Sequence, residues 1–67
     1  MSVAKIIEIK ASSPTSIEDA VKSGLSKTAE TVKNIQGAYI KETTVVTDEQ
    51  GNVREWRVDM MITFLVR

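Results

Sequence analysis

The final stretch, Val53 to Arg67, alternates almost without interruption and limits the possible folds more than any other segment. Trp56, Val58, Met60, Ile62, Phe64 and Val66 fall on one side, and Glu55, Arg57, Asp59, Met61, Thr63 and Leu65 on the other. Period two marks a β-strand with one face on a core. At ~3.4 Å per residue the strand would run roughly 45 Å, whereas ordinary strands have ~5–6 residues. A chain of 67 residues has little else to lay over it. The strand therefore predicts an assembly before any chemistry is considered.

Size points the same way. A domain near 60 residues buries only ~60% of its unfolded surface and often needs disulfides, a metal or oligomerisation. Cysteine and histidine are both absent, which removes disulfides, the usual structural zinc ligands and the commonest general base. Oligomerisation is the remaining support. Nine basic and nine acidic residues cancel, so there is no basic face for nucleic acid. The aromatics Tyr39, Trp56 and Phe64 are too scattered for a base-stacking platform. No apolar run approaches the ~20 residues of a membrane span, and the opening Met1-Ser2-Val3-Ala4-Lys5 has no signal-peptide core. The expectation is a cytoplasmic protein that binds neither nucleic acid nor membrane.

The segment Val3 to Lys10 is rich in β-branched residues and reads as a first strand, with Val3, Lys5, Ile7 and Ile9 on one face and Ala4, Ile6, Glu8 and Lys10 on the other. The run Ser12-Ser13-Pro14-Thr15-Ser16 then ends the strand and starts a helix. Thr15 and Glu18 have capping-box spacing. Ile17, Ala20, Val21, Gly24, Leu25, Thr28 and Val32 form the apolar stripe of an amphipathic helix. On that stripe Gly24 predicts close approach to a strand. Ala38 to Thr47 reads as a second strand, joined to the third by the turn-rich Asp48-Glu49-Gln50-Gly51-Asn52. The order is β-α-β-β, with the last two strands antiparallel neighbours, the first at an edge beside one of them, and a single domain over 1–67. The helix covers one sheet face, and the other carries Ile6, Met61 and Leu65 among charges and needs another subunit.

No catalytic constellation is visible: there is no nucleophile elbow, phosphate-binding glycine loop or metal-ligand cluster. A non-enzymatic protein is expected. Asp48, Glu49 and Asn52 are candidate calcium ligands by type, but their spacing fits a hairpin turn better than an EF-hand loop. The Ser/Thr cluster before the helix has the N–H groups to hold a phosphate, although simple capping explains the same residues. Trp56, beside Val58 and Met60 on the apolar face, reads as a core or subunit-contact residue rather than a stacking platform.

The opening V-x-K-I-I-E-I strand, the S-S-P-T-S helix start, T-V-K-N-I at the helix end (Thr31 to Ile35), Ala38-Tyr39-Ile40-Lys41-Glu42 and the closing E-W-R-V-x-M-x-I-T-F together resemble the dodecins over nearly the whole chain. That resemblance implies an α+β fold, a three-stranded antiparallel sheet wrapped around one helix, assembled into a hollow homododecamer. It also implies a ligand-binding role. Well-known dodecins bind flavins, FMN or riboflavin, in pairs stacked between symmetry-related tryptophans, and store or quench them.

The chain departs from that pattern at the flavin site. The stacking tryptophan of flavin-binding members corresponds here to Gly37, six residues after Thr31. The glutamine that hydrogen-bonds the flavin edge corresponds to Arg57, which follows Trp56 and cannot accept a hydrogen bond. A branch of the family that also lacks the tryptophan is associated with calcium. Three readings follow: a cage that binds or sequesters a small ligand other than stacked flavin, a flavin store using a shifted platform at Tyr39 or Trp56, and a structural or calcium-associated assembly.

Overall fold

The structure, a computed structural model, describes residues 2–67. Strand β1 (Val3–Ser13), helix α1 (Ile17–Ala29), strand β2 (Ile35–Thr47) and strand β3 (Val53–Val66) follow in that order. The sheet has the order β1-β3-β2, and both pairings are antiparallel. The long alternating segment is thus the central strand, flanked by both others.

The helix side of β3 carries the alternating apolar set. Val58, Met60 and Ile62 are buried and form the core with Ala20 of the helix, while Ile7, Ile9, Ala11, Ile17, Val21, Leu25 and Ile35 pack around them. The register explains the set. Ile7 stands opposite Ile62, Ile9 opposite Met60 and Ala11 opposite Val58, so β1 adds its odd-numbered side chains to the same face. Burying one such side chain is worth ~1.5–3 kcal/mol, and a core this small leaves the chain dependent on further burial.

Gly24 does what its place on the stripe suggests. A Cβ built there would come within 2.8 Å of the Met60 methyl and 2.9 Å of the Ala11 Cβ, so the helix backbone lies directly against both strands. The helix start differs from the capping-box expectation. Ser16, not Thr15, is the N-cap: its Oγ accepts from the Asp19 backbone N–H at 3.0 Å. Glu18 pairs instead with Lys22 at 3.1 Å. Thr15 donates its backbone N–H to Ser13 Oγ at 2.9 Å, and Ser13, itself buried, donates to Asp19 Oδ2 at 2.6 Å. The strand end and the first helical turn are thereby tied together, which carries β1 three residues beyond Lys10.

The far end of the helix also departs from expectation. The helix stops at Ala29, with Glu30 as its C-cap, rather than continuing through Val32. Thr31 and Val32 both donate backbone N–H groups to the Thr28 carbonyl. Asn34 then takes a left-handed φ of 62°, a conformation Asn tolerates better than most residues. The reversal lets β2 begin at Ile35 rather than Ala38.

The helix does not cover a whole sheet face. It packs on β1 and β3, leaving Ile40 at 45% and Val45 at 46% exposure on the helix side of β2. Three bulges, near Gln36, Lys41 and Arg54, interrupt the β2–β3 register and bend that edge. The radius of gyration is 13.8 Å and the extents are 53 × 19 × 13 Å. A compact domain of this length would have a radius of about 11 Å.

Filling the Gly24 contact should destabilise the protein. Gly24→Val forces Met60 and the fixed Ala11 methyl aside, at a cost of ~1–3 kcal/mol for an overpacked core. The exposed Ser26→Ala should leave the melting temperature near that of the parent. A Gly24→Val variant that melts with the parent would show that the helix is not seated on Met60 and Ala11.

Candidate functional site

Directly opposed residues of an antiparallel sheet share a face, so the register lays out the surface away from the helix as cross-strand rungs. Ile6, Thr63 and Gly37 form one; Glu8, Met61 and Tyr39 the next; then Lys10, Asp59 and Glu42; then Ser12, Arg57 and Thr44. Ile6 is 53% and Tyr39 57% exposed, whereas Met61, Thr63 and Leu65 are half-buried. The first two rungs are largely apolar, and the last two carry charge.

The last two rungs enclose an open basin of about 320 Å³ lined by Lys10, Ser12, Glu42, Thr44, Arg57 and Asp59. The Arg57 guanidinium lies 3.4 Å from Glu55 on its own strand; the Arg57 side chain is exposed and that of Glu55 partly so. An exposed pair of this kind is worth ~0–1 kcal/mol, so it holds the guanidinium weakly. Lys41 reaches Glu8 at 3.5 Å, linking the two edge strands across β3 through another exposed pair. Asp59 has the one buried side-chain oxygen, Oδ1, that lacks a hydrogen-bond partner among the described residues. Leaving a buried acceptor unmade costs ~1–3 kcal/mol, a cost that oxygen carries while it is closed to solvent.

The two positions that the resemblance points to as a ligand site, Gly37 and Arg57, differ in their surroundings. Arg57 is in the basin. Gly37 is exposed, a Cβ added to it would meet nothing within 4 Å, and its φ lies outside the left-handed region. The two share the outer face, but Gly37 stands opposite Thr63, six residues along β3 from Arg57, or about 20 Å at strand rise. One chain does not bring them together. Trp56 lies opposite Ser13 and Val45 on the helix side and is half-buried, so it is not a platform for the outer face. Tyr39 is on that face, one rung from Gly37.

The hairpin residues are engaged by the turn itself. Asp48 Oδ1 accepts from the backbone N–H groups of Gln50 at 2.9 Å and Asn52 at 3.0 Å, and Oδ2 accepts from the Asn52 side-chain amide at 3.1 Å. Gly51 takes a φ of 86° in the same turn, open to glycine at little cost. These bonds to the charged carboxylate, led by the backbone and side-chain donors of Asn52, hold the Asp48 pKa below its ordinary value of 3.8. No cluster of three or more His, Cys, Asp or Glu side chains with metal-holding geometry occurs among the described residues. No helix among the described residues is long and apolar enough to cross a membrane.

The basin partners of Arg57 were not legible as a site in the sequence. Lys10, Glu42 and Asp59 lie on three different strands, and the bulge at Lys41 decides that Glu42 rather than its neighbour stands opposite Asp59. The only signal in the sequence is the charged run along the odd positions of β3.

A small β-α-β-β protein with its longest strand in the middle, one short helix, and an outer face left bare is the class that this fold defines. The sequence model of the dodecin family matches residues 3–67, and the chain belongs to that family. The fold matches the dodecin of Streptomyces davaonensis with a TM-score of 0.92 at 20% identity, covering 98% of this chain and 96% of that one. An arginine-to-alanine variant of the T. thermophilus dodecin matches at TM-score 0.92 and 24% identity, covering 100% of this chain and 98% of that one. A calcium-chelating immunodominant antigen from Mycobacterium tuberculosis, named calcium dodecin and described with a novel calcium-binding site, matches at TM-score 0.83 and 30% identity, covering 98% and 93%. No curated protein sequence matches the chain.

The turn chemistry sets a pH dependence. A carboxylate with a depressed folded-state pKa stabilises the fold above its unfolded value and loses that contribution as pH falls through the folded one. Asp48→Ala should therefore speed hydrogen exchange at Gln50 and Asn52 near neutral pH, and the difference from the parent should disappear once pH falls well below 3.8. Equal protection of those amides in both proteins at neutral pH would show that the carboxylate does not hold the turn.

Proposed function

We propose that the chain forms a hollow homododecamer that binds or sequesters a small ligand without catalysing a reaction on it. The site reached through Arg57 does not take flavin pairs in the stacked manner of flavin-binding dodecins. The observation that carries this reading is the bare backbone at Gly37: the face that would supply a ring supplies none, and space stands open there. At the reading position Arg57 offers only donors and a fixed charge. Because Gly37 and Arg57 are about 20 Å apart at strand rise, a site using both positions needs two copies of the chain, which agrees with a ligand held between subunits. A cytoplasmic location is part of the same reading.

Two further readings have an observation behind them. Tyr39, exposed beside Gly37, favours a shifted flavin platform, while Trp56 is turned away. The 30% identity to a calcium dodecin favours a calcium-associated assembly. Such an ion would take ligands from more than one copy, because one chain gathers no metal-holding cluster among its described residues. Calcium bound only to the folded assembly would raise its melting temperature.

Riboflavin fluorescence tests the main reading. The unmodified protein should quench riboflavin weakly or not at all. Stacking is worth ~1–3 kcal/mol per ring, so each missing indole costs roughly ten- to a hundredfold in affinity. The pair Gly37→Trp with Arg57→Gln should create strong quenching, and the space at Gly37 accepts the new side chain without backbone strain. Submicromolar quenching by the unmodified protein would replace this reading with the Tyr39 platform.

A further inference from the structure

The basin on the outer face has a polarity that its two rungs impose. One rung places Arg57 between the hydroxyl-bearing Ser12 and Thr44, and its only formal charge is positive. The neighbouring rung places Asp59 between Lys10 and Glu42; one cation and two carboxylates leave it net negative. Two residues of β3 separate the rungs, about 7 Å at strand rise. Both ends are available to a ligand. Arg57 is held only by the Glu55 pair at 3.4 Å, Lys10 makes no ion pair among the described residues, and Glu42 is exposed at the basin wall.

We propose that this basin binds a small zwitterion, an amino-acid-like molecule whose carboxylate sits on Arg57 and whose ammonium sits between Asp59 and Glu42. The guanidinium takes a carboxylate bidentately, with the Ser12 and Thr44 hydroxyls flanking it. The ammonium meets the carboxylates of Asp59 and Glu42, both of which line the basin. A purely anionic ligand gains at Arg57 and Lys10 but places charge against Glu42 and Asp59, and a purely cationic one does the reverse, so each meets opposition that a zwitterion avoids. The volume of about 320 Å³ is at the small end of ligand sites, which suits a molecule of this size. The inference rests on the reading above that the chain binds a small ligand reached through Arg57, and it places that ligand in the basin and names its chemistry.

Calorimetric titration of the intact assembly with β-alanine, acetate and ethylammonium separates the possibilities. β-Alanine should bind saturably at millimolar concentration, and each singly charged probe should bind at least tenfold more weakly. Arg57→Gln and Glu42→Gln should each weaken β-alanine tenfold or more while the assembly keeps its size. Glu42 is exposed, so its variant guards against a folding defect at the central strand. Acetate binding as tightly as β-alanine would make the site a plain anion site and overturn the inference. Absence of β-alanine binding would overturn it as well. In that event, saturable binding of a different co-purified molecule would leave the proposed function standing, whereas a preparation that binds nothing would remove both.

Discussion

Everything in this molecule follows from a mismatch of length between one helix and the strand beneath it. The helix has 13 residues and β3 has 14. At ~1.5 Å per helical residue the helix spans about 20 Å, while β3 at ~3.4 Å per residue spans about 45 Å. Small side chains on the helix, with Gly24 pressed on Met60 and Ala11, make the contact close but narrow. The apolar surface of β2 and both ends of the outer face are left bare by the helix. Marginal stability makes that exposure expensive in so small a chain.

The same bare outer face is where chemistry can be placed. A sheet that presents both faces to its surroundings lays out side chains in rungs, and each rung mixes residues from three strands. In this chain the rungs grade from apolar, around Ile6, Met61 and Tyr39, to charged, around Asp59 and Arg57. The first half is suited to contact between subunits and the second to holding a polar ligand. Arg57, on the strand that organises the fold, gives the charged end of this surface a fixed positive charge.

Much of the fold could be read from residues alone. The alternation in β3 gave its length to within one residue and assigned its faces correctly, because period two has no competing explanation over so many positions. The helix stripe and the purpose of Gly24 followed from spacing. Boundaries were harder where side chains rather than periodicity decide them. Ser13 extends β1 by bonding Asp19, Ser16 takes the cap from Thr15, and the left-handed Asn34 lets β2 begin at Ile35. For the candidate site, Gly37 and Arg57 were visible only through resemblance. Their separation along β3, and the company of Lys10, Glu42 and Asp59 around Arg57, depend on register and bulges that no local pattern encodes.

Light scattering at micromolar concentration, on the parent and on Leu65→Asp, tests the dependence of this fold on assembly most directly. Leu65 is half-buried on the outer face opposite Ala4, so a charge there should matter only if another copy covers it. The expected result is a single large oligomer near twelve chain masses for the parent, and dissociation with loss of folded signal for the variant. A parent that remains folded as a monomer near 7.4 kDa would contradict the account.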